Sequence, residues 1–164
     1  MLCEYVRPAR SHCSSSRRAA RWIAVGIFSG AVSLTLRDAA AEAPVGRYVV
    51  EEGTVTDTRT RLTWQRAPDL TARAWTQAAP YCAALELSGK GWRLPSVKEL
   101  LTLVDESRWG PAIDPGAFPG TPSDYFWTSS PLATFPMFVW TVFFGKGTAS
   151  FFEINNPRLI RCVR

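Results

Sequence analysis

Carboxylates are the first side chains in this sequence whose type and spacing could do chemistry. Asp105, Asp114 and Asp124 could together offer oxygen ligands to a hard cation, but their spacing matches no calcium-binding loop. Glu99 and Asp105 could support glycoside hydrolysis, which needs two carboxylates. Because they are six residues apart, their side chains would not lie on the same face of a helix. We therefore predict no metal site, no cofactor and no catalytic residues.

Histidine and free cysteine, common bases and nucleophiles, are missing after residue 43. The only histidine is His12, so the rest of the chain has no imidazole for a triad or a metal site. Of the four cysteines, Cys82 and Cys162 are the two that follow residue 43. Two cysteines in an exported chain are expected to pair. Their bridge would close a loop of about 80 residues and stabilise the fold by roughly 4 kcal/mol.

The expectation of export comes from residues 1–43. A basic stretch is followed by the apolar run Trp22–Leu36 and by Ala41-Glu42-Ala43, which is the order of a signal peptide with its cleavage site. The apolar run has fifteen residues, whereas a membrane-spanning helix takes about 20. We predict cleavage near Pro44, no membrane span afterwards, and a periplasmic or secreted protein.

The strongly basic character of the chain belongs largely to the same segment. The net charge is +5, and residues 1–43 contain six of the 19 Lys and Arg but only three of the 14 Asp and Glu. The part from 44 to 164 is therefore only slightly basic, and it carries no Lys/Arg-rich run. This pattern argues against a nucleic-acid partner.

A polar and aromatic run, DYFWTSS, is the best candidate for a recognition surface. Carbohydrate sites combine aromatic platforms with planar polar groups. The tentative ligand-binding residues in the run are Asp124, Tyr125, Trp127, Thr128 and Ser129. For Phe126 and Trp127 individually, a place in the core is the favoured alternative. If the ligand is acidic, Lys146 and Arg158 are the expected basic contacts.

The first elements after residue 43 are predicted to be a hairpin and a helix. The stretch from 44 to 66 alternates around an Asp57–Thr60 turn, with Val55, Leu62 and Trp64 as inward positions. Residues 71–87 show helical periodicity, with Thr71 as the N-cap and Pro80 as a possible kink. Cys82 falls on the apolar face of this helix.

A corner precedes the second predicted helix, within GWRLPSVKELLTLVD. Ser96 and Glu99 form an S-x-x-E capping box directly after Pro95. We predict that Trp92 packs onto the helix and the sheet, and that Arg93 is tied to a carbonyl or carboxylate rather than to a ligand. The structural corner is thus Trp92, Arg93, Pro95, Ser96 and Glu99.

The last third of the chain is predicted to be a long loop followed by strands. Residues 106–136 are rich in Pro, Gly, Ser and aromatics, and loops of this length in compact domains are commonly functional. The run MFVWTVFF is apolar on both alternating faces, which predicts a strand covered on both sides. Strands TASFFEI and RLIRCVR follow it.

The order of these motifs resembles the Lcl C-terminal domain family. The resemblance rests on VTDTRTRLTWQR, GWRLPSVKELLTLVD, FWTSS, VWTVFF and the terminal RCVR, and it covers residues 46–164. It implies an α+β fold like that of C-type lectins and sulfatase-modifying factors, with two helices packed on a twisted, mainly antiparallel sheet. It also implies one domain, 44–164, with a long-range Cys82–Cys162 bridge. The family typically has Thr-Gly-Leu in the first hairpin, where this chain has Arg61.

The same resemblance implies an exported, non-enzymatic recognition module whose partner is a glycan or an envelope or extracellular protein. The motifs of calcium-dependent lectins are absent. Two alternatives stay open. One is an interaction subunit of an envelope assembly. The other is an enzyme, either a carboxylate-based hydrolase or one like the sulfatase-modifying factors, although those are longer and use reactive cysteines.

Overall fold

The computed structural model describes residues 44–164, so the predicted signal peptide lies outside the described residues. Within 44–164, no helix is long and apolar enough to cross a membrane. The elements are β1 (Tyr48–Val50), β2 (Thr54–Asp57), β3 (Leu62–Gln65), β4 (Asp69–Arg73), α1 (Trp75–Ala83), α2 (Val97–Leu101), β5 (Tyr125–Leu132), β6 (Phe135–Phe143), β7 (Thr148–Glu153) and β8 (Arg158–Ile160).

The strands form two sheets. Strands β1, β2 and β3 make an antiparallel three-stranded sheet, and the larger sheet has the order β4-β8-β5-β6-β7. Only the β5–β8 pair is parallel. Val163, just beyond β8, forms bridges with both Trp64 and Arg93, which ties the small sheet to the corner before α2. The predicted α+β class with a mainly antiparallel sheet is confirmed.

The core lies on both faces of the larger sheet. Strand β6 explains why, because successive side chains of a strand point to opposite faces. Val142 joins a buried cluster with Phe126 and with Leu100 of α2, whereas Val139 joins a second cluster with Ala78 of α1. Both valines are fully buried. The prediction of a strand covered on both sides is therefore confirmed.

The disulfide is present as predicted. Cys82 lies on the buried side of α1, and its Cα is 5.5 Å from that of Cys162, which follows β8. Both residues belong to the second cluster, together with Trp92 and Trp127. The bridge thus fastens α1 to the last residues of the domain.

The corner before α2 is also as predicted. The Ser96 hydroxyl accepts from the Glu99 amide, and the Glu99 carboxylate accepts from the Ser96 amide. Trp92 is buried, and its indole donates to carbonyls of Leu87 and Gly89. Arg93 donates to the Glu99 carboxylate, so its charge is held within the corner. Pro95 accepts from the Ser129 amide at 2.7 Å, which joins the corner to β5.

Three helix boundaries differ from the prediction, and one of them is the end of α1, which lies at Ala83 instead of residue 87. Residues 71–73 belong to β4, because Arg73 pairs with Arg158 of β8, and α1 begins only at Trp75 with Ala74 as its N-cap. Thr71 is therefore not a helix cap. The second helix was predicted over VKELLTLVD, residues 97–105, but α2 ends at Leu101. Sheet pairing and the following turns outweigh local helix propensity at these points.

The prediction of a loop over residues 106–136 is wrong for the second half of this range. Residues 125–132 form β5, which pairs with β6 and with β8, and β6 itself begins at Phe135. The irregular segment is confined to residues between α2 and β5. Its anchor is Arg161, which is fully buried and donates to Thr121 in that segment and to carbonyls of Gln65 and Arg66. Burial lowers the pKa of Arg161 to about 9, so its guanidinium stays charged at neutral pH.

Candidate functional site

Tyr125 is the centre of an aromatic group at one end of the larger sheet. Its ring stacks on Phe143 with centroids 4.5 Å apart, and it meets Phe152 edge to face at 4.7 Å. All three side chains are half-buried, so part of each ring remains at the surface. Strand pairing accounts for this arrangement, because Tyr125 and Phe143 are directly opposite each other on β5 and β6.

A guanidinium lies against this group. The Arg158 guanidinium carbon is 3.9 Å from the Phe152 ring centroid and 5.6 Å from that of Tyr125. Its terminal nitrogen donates to the Pro157 carbonyl. Among residues 44–164, no carboxylate forms a salt bridge with it. The charge is thus held by cation–π contacts, which leave it able to interact with an anion.

The rings continue from Phe143 towards a second cation. The Phe143 ring lies so close to Gly145 that any side chain at position 145 would collide with it. The next residue, Lys146, is exposed, and its ammonium lies 5.9 Å from the centroid of Trp109. Trp109 is 73% exposed. Gly110 donates to the Gly145 carbonyl at 3.2 Å, which holds the tryptophan segment beside the β6–β7 turn.

Six side chains in two groups make up a region that we name the aromatic-cationic strip. Tyr125, Phe143, Phe152 and Arg158 form one group through ring and cation–π contacts, Lys146 and Trp109 form the other, and Gly145 joins the two groups along the chain. The strip presents two cations and several ring faces, with Asp124 exposed directly beside Tyr125. Such a surface is able to stack on planar or ring-shaped groups and to attract negative charge.

The structure separates the predicted recognition residues into two sets. Tyr125 and Arg158 come together although 33 positions separate them, whereas Lys146 contacts Trp109 beyond Gly145. Trp127 and Thr128 are fully buried, where the indole donates to the Arg73 carbonyl and the hydroxyl donates to the Trp140 carbonyl. These two side chains support the sheet and cannot touch a ligand at the surface. The alternative of a core position for Trp127 is confirmed.

Asp124 and Ser129 remain exposed, but at different places. The Asp124 carboxylate accepts from the Tyr125 amide at 2.7 Å, which fixes it at the start of β5 beside the strip. Ser129 lies four residues further along the strand, next to the corner at Pro95. Of these two predicted residues, only Asp124 borders the aromatic group.

A separate depression lies between the N-terminal end of the described chain and the segment 105–117. It consists of two adjoining cavities of about 370 and 310 Å³ that share Pro44, Tyr48 and Asp114. Two of its charged side chains are paired within the wall, since Arg108 donates to Asp105 at 3.0 Å. Burial opposes ionisation of Asp105, but hydrogen bonds from Ser107 and Arg108 outweigh it and lower the pKa.

The family of the chain follows from a comparison of its sequence with models of known protein families. The sequence model of the Lcl C-terminal domain family matches residues 53–164. The chain belongs to that family. No curated protein sequence matches it.

In this Lcl C-terminal domain Arg61 occupies the turn of the first hairpin. Arg61 has φ of 61°, which lies in the left-handed region that glycine adopts most easily. Its amide donates to the Asp57 carbonyl at 2.7 Å, which closes the turn. The turn therefore has a glycine-type backbone although its residue is an arginine.

Sequence reasoning missed three members of the strip in this Lcl C-terminal domain. Phe143 and Phe152 were assigned only to strands, and Trp109 was one of many residues in the predicted loop. The available signal for Trp109 was an aromatic residue within a Gly- and Pro-rich segment. That signal does not reveal exposure, which depends on where the loop lies on the fold.

The carboxylates of the domain do not form a metal centre in the described residues. Between residues 44 and 164, no three histidine, cysteine or acidic side chains are grouped closely enough to hold a metal ion. Asp105, Asp114 and Asp124 are therefore not brought together. Asp114 instead accepts from the amides of Gly116 and Ala117, which shapes its own turn.

Proposed function

We propose that this chain is a non-enzymatic recognition module that acts after export and binds polysaccharide through the aromatic-cationic strip. The observation that carries the proposal is the position of Arg158, 3.9 Å from the Phe152 ring centroid and 5.6 Å from that of Tyr125. A cation and partly exposed rings are thereby presented together. Sugar rings pack on aromatic faces, and cations pair with carboxylate or sulfate groups.

The second cation extends this surface and sets the expected ligand class. Lys146 and the exposed Trp109 repeat the combination of a positive charge and a ring at the other end of the strip. Two such pairs suit an extended chain with repeated acidic groups better than a single small molecule. The proposed ligand is therefore an acidic polysaccharide.

The proposal of a binding role without catalysis rests on the chemistry of the described side chains. Cys82 and Cys162 are joined and cannot act as nucleophiles. Hydrogen bonds from Arg93 lower the pKa of Glu99 to about 2, and the pKa values of Asp69 and Asp105 are also lowered. A general acid at neutral pH needs a raised carboxyl pKa, so these groups are shifted in the wrong direction.

The test uses protein purified from cells that express the whole chain. The purified protein is applied to an array of sulfated, uronate-containing and neutral polysaccharides. We expect binding to the acidic chains, and we expect added salt to weaken it because exposed charges are screened beyond about 8 Å at physiological ionic strength. Binding only to neutral chains, or binding insensitive to salt, would remove the acidic-ligand assignment.

Paired variants locate the site. Lys146→Gln combined with Arg158→Gln removes both strip cations, and we expect binding at least tenfold weaker. The matched control is Arg59→Gln combined with Lys90→Gln, which removes the same charge from exposed positions outside the strip. If the control loses as much affinity as the strip variant, general charge attraction and not the strip explains the binding.

A further inference from the structure

The two edges of the larger sheet differ in how they are protected. Strand β4 forms one edge and carries the ion pair of Asp69 with Arg73 and an irregular register. Strand β7 forms the other edge and runs for six residues in unbroken register with β6. It contains neither proline nor a basic residue. Charges, prolines and bulges are the usual devices that prevent an edge from pairing with another chain. Strand β7 has no proline and no bulge, and its only charge is Glu153 at its last position.

The outward-facing backbone groups of β7 follow from its pairing. The Ile154 amide donates to the Met137 carbonyl, directly beyond the last register pair. Bonded and non-bonded pairs alternate along an antiparallel ladder. The backbone groups of Ala149, Phe151 and Glu153 therefore point away from β6. The Glu153 carbonyl accepts from the Asn156 amide, so the groups in position to bond to an added strand are the three amides and the carbonyls of Ala149 and Phe151.

The side chains of the same three residues are exposed on one face of the sheet. Phe151 is 48% exposed and meets Phe138 and Trp140 of β6 edge to face, with centroids 6.0 and 5.7 Å apart. Ala149 and Glu153 are exposed on either side of Phe151 along the strand. An exposed aromatic cluster therefore borders an unprotected edge.

We propose that β7 pairs with β7 of a second copy of this chain, antiparallel and centred on Ser150. This register opposes Phe151 of each copy to Ala149 of the other, so a large side chain faces a small one twice. It also uses the outward backbone groups of both strands. A two-fold axis generates the two contacts together, as in most homodimers.

The charges around β7 favour a second copy in this orientation. Glu153 is the only charge within the strand, and Lys146 lies just before it. Antiparallel pairing centred on Ser150 places each Glu153 opposite Gly147 of the other copy and beside its Lys146. Parallel pairing would place like charges together, which is unfavourable. The charges between Lys146 and Glu153 therefore favour antiparallel pairing of two copies over parallel pairing.

Sedimentation equilibrium on protein purified from cells expressing the whole chain measures the association. We expect a monomer–dimer equilibrium. Phe151→Lys puts a charge at the centre of the proposed contact, and we expect it to weaken dimerisation at least tenfold. Leu70→Lys is the matched control, because Leu70 is 66% exposed on the opposite edge strand, β4. A monomer at all concentrations, or equal effects of the two changes, would overturn the proposal.

A charge exchange tests the register itself. Glu153→Lys and Lys146→Glu should each weaken the dimer, and the double variant should recover most of the lost affinity. Failure of the double variant to recover would exclude the proposed register. Arg158 belongs to the aromatic-cationic strip and lies on β8, outside the proposed β7 contact. Arg158→Gln should therefore weaken polysaccharide binding and leave dimerisation unchanged, which separates the two proposals.

Discussion

Arg93 and Glu99 form a two-bond ion pair, with guanidinium nitrogens 2.9 and 2.6 Å from the two carboxylate oxygens. The same carboxylate caps α2 through the Ser96 amide. The backbone of Arg93 in turn exchanges two hydrogen bonds with Val163. One pair of side chains thus connects the start of α2 with the end of the chain.

The first prediction concerns the acid stability that this pair provides. Hydrogen bonds from Arg93 hold the pKa of Glu99 at about 2, below the ordinary value of 4.5. The folded state therefore keeps Glu99 ionised where the unfolded chain takes up a proton. The stabilisation is complete above about pH 5 and is lost as the pH falls towards 2. Melting temperatures from pH 2 to 7 should fall less steeply for Glu99→Gln than for the wild type.

The matched control for this experiment is Glu86→Gln. Glu86 is paired with Lys90 at the surface, where both side chains are more than 70% exposed. Its melting curve against pH should parallel the wild type. Parallel curves for Glu99→Gln as well would contradict the assigned pKa.

The second prediction concerns the disulfide. Replacing both Cys82 and Cys162 by Ala removes the bridge without leaving a lone thiol. The free energy of unfolding should fall by about 2 to 5 kcal/mol, the range for native bridges in small secreted domains. Chemical denaturation measures the change. Thiol counting on the wild type under denaturing, non-reducing conditions should find neither of these cysteines free.

The third prediction compares two tryptophans. Trp92 is 3% exposed and its indole donates to two carbonyls, so Trp92→Ala should cost about 3 to 5 kcal/mol of stability. Trp109 is 73% exposed, and Trp109→Ala should change stability by less than about 0.5 kcal/mol. Only Trp109→Ala should weaken polysaccharide binding while the fold stays intact. Equal losses of stability in the two variants would contradict the assigned positions.

The fourth prediction concerns the hairpin turn at Arg61. A non-glycine residue at positive φ carries backbone strain of order 1 kcal/mol. Arg61→Gly should relieve it, partly offset by the greater freedom of glycine in the unfolded chain. We expect a gain of about 0.5 kcal/mol in the free energy of unfolding. Arg59→Gly, two positions earlier in the same turn and without positive φ, is the control and should lose stability.

Features set by neighbours along the chain could be predicted from the sequence. The capping box needs only Ser96 and Glu99 three positions apart, and the first hairpin needs only alternation around a polar turn. The bridge followed from the presence of two cysteines after residue 43. Each of these depends on local geometry or on a small set of possible partners.

Features set by distant pairing could not be predicted in the same way. Ser129, Ser130 and Pro131 have the composition of a loop, yet they lie in β5 because β6 pairs along it. Trp109 and Trp127 are the same residue type, but one is exposed and the other fully buried. Their difference comes from the packing of the sheet against α1 and from the position of the loop. The strip likewise joins residues that only tertiary packing brings together.

The final residues of the domain have a consequence for when folding can occur. Arg161 holds the irregular segment, Cys162 forms the bridge, and Val163 and Arg164 bond to the corner and to β3. A chain cut before Arg161 lacks the disulfide and the backbone bonds with which these residues join β3 and the corner. Residues 44–160 therefore cannot reach the complete native arrangement during synthesis until the last four residues of the domain are available.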